Sequence, residues 1–272
     1  MDIIYKILLD KINKLKKVVK YFVIGKSYLG KDIICFKLKG NSDNNIIVQG
    51  GMHAREYITS FLILEQINLM KEFNLCNNFY FIPVSNPDGV QIAMLGYNSV
   101  NDDLLKQLYS KFKLPYPLYK ANAIGVDINT NFDAYWSCGK CNQFRPSTQN
   151  FVGYGPESES ETQALVKITE RLKPKVTLSY HSKGEVIYYG FYQKGKDLKR
   201  QKKYAKMLLS NYKLVSTKNS CGGYKDYNVK KYNNLSYTIE VGNNNWTHPI
   251  GMDKLKNIKE DNILTPLICD KF

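Results

Sequence analysis

Short apolar runs alternate with longer stretches of helical periodicity along most of the chain. Residues 32–38, 45–48, 79–84, 176–180 and 235–241 are apolar and too short for helices, so they read as buried strands, with 185–191 as a further one. Between them, residues 57–73 place Phe61, Leu64, Ile67 and Met70 on one helical face. Residues 102–112 and 198–212 also carry helical spacing. Ser158 is placed to cap a helix running to Leu172, with Glu161 three positions on to complete a capping box. Asn86-Pro87-Asp88-Gly89 signals a turn, and residues 115–122 read as irregular. At the start, Ile4, Leu8, Lys11, Leu15 and Val18 or Val19 trace the stripe of an amphipathic helix over residues 1–20, packed onto the rest.

Strands that alternate with helices predict an α/β layer sandwich. No repeat or low-complexity linker divides the 272 residues, so they are expected to form one domain. In such folds ligands collect beyond the carboxyl ends of the strands.

Composition changes this picture little. A hydrophobic fraction of 43% with 21 Tyr and 12 Phe excludes a mainly disordered chain. The formal net charge of +15 bears on partners rather than on fold. Its clusters, Lys14 to Lys20 and Lys199 to Lys203, fall in helical segments and read as solvated faces. No nucleic-acid signature accompanies them, so no nucleic-acid partner is expected. Six scattered cysteines do not make a disulfide framework, and Cys138-Gly139-Lys140-Cys141 lacks the second pair of a metal knuckle. It reads as a loop with two thiols. Lys6, Asp10, Lys11 and Lys14 break the first apolar stretch, which rules against a signal peptide. Nothing reaches the ~20 apolar residues of a membrane span. A cytoplasmic location is the expectation.

The chemistry concentrates at strand ends. His53 follows the strand at 45–48, with Glu56 three residues on; His181 and Glu240 end two later strands. Two histidines and a glutamate are one standard ligand set for hydrolytic zinc, which keeps a fourth position for water. His-x-x-Glu alone is a weak signal. The order of motifs is not: Gly50-Gly51-Met52-His53-Ala54-Arg55-Glu56, Asn86-Pro87-Asp88-Gly89, Gly125-Val126-Asp127-Ile128-Asn129, Tyr180-His181-Ser182 and Tyr237-Thr238-Ile239-Glu240. This series resembles the zinc carboxypeptidase superfamily over nearly the whole chain.

The resemblance implies a single zinc peptidase domain over residues 1–272, with a mixed parallel and antiparallel twisted sheet and helices on both faces. It implies one Zn²⁺ held by His53, Glu56 and His181, and Glu240 as general base. Arg55 and Asn129 match substrate-binding positions, and Asp226 keeps the family's spacing to the base. Lys120 is the candidate in place of the family's oxyanion arginine, and Lys218 stands where the family has a phenolic tyrosine.

Departures narrow the reading. Where carboxypeptidases carry an Asn-Arg pair, this chain has Asn129-Thr130, and threonine cannot clamp a terminal carboxylate bidentately. Lys225 holds the position that selects the side chain after the cut, which implies a peptide or muropeptide substrate with an acidic side chain. Together with residues 126–134, 181–185 and 222–227, these features look like the γ-D-glutamyl-L-diamino acid peptidases, which cut peptidoglycan stem peptides. The alternatives are a conventional metallocarboxypeptidase and, in another class, an inactive basic module that binds an anionic polymer. His248 is left over and reads as an ordinary structural or surface residue.

Overall fold

A computed structural model describes residues 3–217 and 220–272. Lys218 lies outside the described residues.

The chain runs α1 (Ile3–Lys16), β1 (Tyr21–Lys26), β2 (Asp32–Leu38), β3 (Asn45–Gln49), α2 (Ile58–Met70), β4 (Asn78–Ile82), α3 (Pro87–Leu95) and α4 (Asp103–Tyr109). It continues α5 (Ser160–Leu172), β5 (Val176–His181), β6 (Val186–Tyr189), α6 (Gly195–Leu208), β7 (Lys213–Ser216) and α7 (Tyr224–Tyr232). β8 (Leu235–Glu240), α8 (Leu255–Asn262) and α9 (Thr265–Cys269) close it.

Eight strands form one sheet in the order β1-β2-β4-β3-β5-β8-β6-β7. The centre, β4-β3-β5-β8, is parallel, while β2 meets β4 and β6 meets β8 antiparallel. This is the mixed sheet expected. The period of two along a strand divides the core. In β3, Ile46 and Val48 join the cluster packed by α1, α2 and α6, while Ile47 faces α5 and α7 on the opposite side. Helices therefore cover both faces, and the central strands are buried throughout. Among the described residues no helix is long and apolar enough to cross a membrane.

The N-terminal helix buries Tyr5, Leu8 and Leu15, and Val19 rather than Val18 turns inward after it. On α6, Gln201, Ala205 and Leu208 are buried while Lys199, Arg200, Lys202, Lys203 and Lys206 face outward, the solvated basic face anticipated.

Two local readings are corrected. Asn86-Pro87-Asp88-Gly89 is a helix start: Asn86 Oδ1 accepts from Gly89 N at 2.9 Å and Pro87 takes the first helical position, where its missing N–H is no loss. At α5, Glu159 rather than Ser158 is the cap residue, and no side-chain capping bond forms. Glu161 turns inward instead, accepting from Tyr28 N at 3.1 Å.

Candidate metal centre and active site

Three parallel strands deliver the site. β3, β5 and β8 lie side by side, and His181 and Glu240 are register partners at the ends of β5 and β8. After β3, the chain turns through Gly50 and Gly51. Gly51 has φ +59°, and a Cβ there would sit 2.5 Å from Ser60 Oγ, so only glycine fits this turn. A short 3₁₀ turn, Ala54–Glu56, then sets His53 and Glu56 on one side. Thr59 Oγ1 fastens it, accepting from Gly51 N at 2.9 Å and donating to Glu56 O at 2.8 Å. Asn86 Nδ2 braces the same loop through Met52 O at 3.1 Å and Ala121 O at 3.0 Å.

The structure brings His53, Glu56 and His181 together, all buried, with one donor atom from each within 4.8 Å of the others. His53 Nδ1 lies 3.0 Å from Glu56 Oε1 and 3.0 Å from His181 Nδ1, which is 3.1 Å from Glu56 Oε2. A tetrahedral zinc with bonds of 2.0–2.1 Å needs its nitrogen donors ~3.3 Å apart. The spacing fits. Of the outward nitrogens, His181 Nε2 has Ser179 Oγ at 3.0 Å, and His53 Nε2 has the Asp127 carboxylate close by, with Oδ1 at 3.2 Å but no formed hydrogen bond. Both Nδ1 atoms point inward, as metal-ligating histidines with carboxylate or hydroxyl groups beside their outer nitrogens do. Burial opposes a charge on His53, yet Glu56 and Asp127 outweigh it and raise the imidazole above its usual pKa. Burial likewise opposes ionised Glu56, but the two imidazoles hold its carboxyl well below the ordinary range. The centre favours a positive charge between these groups, as a divalent ion supplies.

Glu240 is pushed up to about 7, by burial first and then by the negative charge of Glu56. Such a carboxyl can both take and return a proton near neutrality.

A pocket of about 670 Å³ opens beside the centre, with His53, Lys120, Asn129, Thr130, Lys225 and Glu240 in its lining. Lys120 Nζ sits 2.7 Å from Asp127 Oδ2, the carboxylate that also faces His53. Asn129 Oδ1 accepts from Tyr224 N at 3.1 Å. The Thr130 hydroxyl donates to Asp127 O at 2.8 Å. Gly222, with φ +78°, lets its turn pack onto Thr130, since a Cβ there would meet Thr130 O at 2.4 Å.

Lys225 reaches the pocket, but its ammonium is already committed. It donates to Gly190 O at 2.7 Å, to Thr217 Oγ1 at 2.8 Å and to Asp226 Oδ1, and the residue is 4% exposed. The pocket floor is therefore a neutral ion pair rather than an open cation. Sequence reasoning missed α7, which carries both residues, because Tyr224-Lys225-Asp226-Tyr227-Asn228 has no apolar helical stripe.

Arg55, Ser182, Lys183 and His248 stand outside that pocket lining. Arg55 donates to Leu118 O at 3.4 Å, and its Nε is buried without a partner. His248, the leftover histidine, is half-buried near the centre: burial first lowers its pKa to about 4, with Glu56 opposing and Arg55 and Lys183 adding to the fall. Cys138 and Cys141 are exposed free thiols, and Cys141 joins Cys221 at the pocket wall.

Comparison with known proteins gives a consistent picture. A family model described as zinc carboxypeptidase matches residues 4–264. The chain is 27% identical over 259 residues to the uncharacterized protein YqgT of Bacillus subtilis, covering 85% of this chain and 68% of that one. It is 26% identical over 278 residues to gamma-D-glutamyl-L-diamino acid endopeptidase 1 of Lysinibacillus sphaericus, covering 94% and 69%. Among solved structures, carboxypeptidase A from Helicoverpa armigera shares the fold with a TM-score of 0.72 at 20% identity, over 97% of this chain and 70% of that one. Murein-tripeptide amidase MpaA from Escherichia coli O157 shares it with a TM-score of 0.60 at 20% identity, over 91% of each chain.

Proposed function

The chain belongs to the zinc carboxypeptidase family, whose members are metallopeptidases that use one zinc ion, and from that premise we propose that it cuts the γ-D-glutamyl–diamino acid amide bond of peptidoglycan stem peptides. In this reading residues 1–272 act as one catalytic domain. His53, Glu56 and His181 would hold the ion, their two inward-facing Nδ1 atoms and the carboxylate being the available donors. When bound, zinc supplies Lewis acidity toward water and the scissile carbonyl.

Glu240 takes a proton from the attacking water and returns it to the leaving amine, so the amide and one water become an acid and an amine. A base near neutrality suits both transfers. Lys120, steadied by Asp127, donates to the oxygen on which negative charge develops. Arg55 and Asn129 orient the substrate chain, Asn129 through the Nδ2 on the opposite branch from the Oδ1 that holds Tyr224 N. The Lys225–Asp226 pair shapes the floor for the leaving diamino acid.

One observation carries the choice of bond. Thr130, with its hydroxyl turned to Asp127 O, stands where a terminal-carboxylate clamp requires an arginine. A substrate held without that clamp suits a cut inside a stem peptide, and the Lysinibacillus endopeptidase is named for that linkage.

The test is product mass after incubating the zinc-loaded protein with the tetrapeptide L-Ala-γ-D-Glu-meso-diaminopimelate-D-Ala, in which that bond is internal. Cleavage between glutamate and diaminopimelate is expected. Release of single C-terminal residues from ordinary peptides, with the muropeptide left intact, would overturn the reading.

A further inference from the structure

Residues 139–142 form part of the wall of the pocket beside the metal centre. Their loop is fastened on either side: Trp136 Nε1 donates to Val152 O at 2.9 Å, and Gln143 N donates to Asn150 O at 2.8 Å. Within it, Asn142 N donates to Gly139 O at 3.2 Å, and the Asn142 side chain packs back against Gly139. A Cβ at position 139 would lie 2.6 Å from Asn142 Oδ1, so the glycine makes room for that packing. The amide nitrogen is left over. Asn142 Nδ2 is buried and has no hydrogen-bond partner among the described residues. A buried donor left open is costly unless a ligand or water fills it.

The same stretch carries an uncommitted charge. Three lysines line the pocket, Lys120, Lys140 and Lys225. Lys120 is paired with Asp127 and Lys225 with Asp226. Lys140, which is exposed, has neither an ion pair nor a hydrogen bond among the described residues. A free ammonium and an unfilled amide donor, two positions apart on one anchored loop, together suit a carboxylate. The ammonium supplies charge and the amide supplies direction.

The proposed substrate offers one such group on the residue that leaves as the amine. In the stem tetrapeptide, the amine and the carboxyl of one end of meso-diaminopimelate are both in peptide bonds. Its free carboxylate is therefore the one at the far end of the side chain. We propose that Lys140 and Asn142 Nδ2 receive that carboxylate, so that residues 139–142 distinguish diaminopimelate from lysine. This rests on the function proposed above and deepens it. Acid recognition passes from Lys225 on the floor, already neutralised by Asp226, to the wall. A lysine in the substrate ends in an ammonium without a carboxylate and would meet like charge at Lys140.

The experiment compares two substrates that differ at one group: L-Ala-γ-D-Glu-meso-diaminopimelate-D-Ala and its twin with the side-chain carboxylate amidated. With zinc-loaded protein, kcat/KM is expected to favour the acid by ~10-fold or more, the scale of a lost charge-assisted contact. Lys140→Met should bring that ratio toward unity; the residue is exposed and unpaired, so the variant should fold as the unaltered protein does. A second arm uses no turnover: calorimetric binding of the leaving fragment, meso-diaminopimelyl-D-Ala, against its side-chain amide. The acid should bind more tightly, and the difference should vanish in Lys140→Met. Equal turnover of the two tetrapeptides, a ratio that survives in Lys140→Met, or fragment binding that does not distinguish acid from amide overturns the proposal and leaves the cleaved bond unaffected. If neither tetrapeptide is cut, the proposed function fails, and the binding arm alone decides the role of Lys140, with no binding of either fragment counting against it.

Discussion

His53 Nδ1 and His181 Nδ1 face each other across 3.0 Å although 128 positions separate them in the chain. Parallel pairing of β3 with β5, through Gln49 and Ser179, makes the two segments leave the sheet side by side. Two neutral imidazoles aiming lone pairs at one another repel unless a cation lies between them. The sheet forces the approach, and a bound cation would relieve it. Metal binding at these residues would therefore be linked to the ordering of this end of the sheet.

Asp127 is the lever on that linkage. It lies 3.2 Å from His53 Nε2 and 2.7 Å from Lys120 Nζ, and the Lys120 ammonium first, with the His53 ring, outweighs burial to hold its carboxyl well below the usual range. Asp127→Asn keeps the shape but removes the charge that orients His53. Zinc affinity, measured by competition with a chelating dye, should weaken ~10–100-fold. An unchanged affinity would remove Asp127 from this role.

Glu240→Gln separates metal binding from chemistry. Glu240 is not part of the three-residue cluster, so zinc content by elemental analysis should match that of the unaltered protein. Turnover of the muropeptide should fall by ~10²–10⁴, the usual contribution of a general base. Retained turnover would transfer the proton step to another group.

The central strands were legible because burial on both faces makes them continuous apolar runs. β3, β5 and β8 fall within a residue or so of the expected bounds. Edge strands were not: β1 is largely exposed or half-exposed and β7 is four residues long, so neither carries a core pattern. The His53, Glu56 and His181 cluster was readable from ordered motifs at strand ends. Lys225 was readable as a pocket residue but not as a neutralised one. Its three acceptors come from Gly190, Thr217 and Asp226, and only folding shows that they converge.

Lys225 and Asp226 are 4% and 2% exposed, which makes a stability prediction. Removing one partner of a buried pair leaves the other charge uncompensated, at a cost of about 3–5 kcal/mol. Lys225→Met should lower stability in urea denaturation by that order. Lys225→Met with Asp226→Leu should recover much of the loss, because no isolated charge remains. A double variant less stable than the single one would show that the Asp226 bonds to Ser220 and Gly223 matter more than its charge.

Glu161 gives the fold a pH dependence far from the metal. It is fully buried, accepts from Tyr28 N at 3.1 Å, and burial raises its pKa from the usual 4.5 to about 7, with Asp88 and Glu159 adding repulsion. In the unfolded chain it ionises near pH 4.5; in the native protein it keeps its proton to about 7. The native state therefore binds more protons in that window, and this contribution to stability declines as pH rises through it, by on the order of 3 kcal/mol. Below the window both states are protonated and the group is neutral to stability; above it the loss is complete. Glu161→Gln keeps an acceptor for Tyr28 N and cannot ionise. Urea midpoints for the two proteins should converge near pH 4 to 5 and separate by pH 8, with the glutamine variant the more stable. Parallel midpoints across that range would mean Glu161 is ionised in the native fold, held there by partners other than Tyr28.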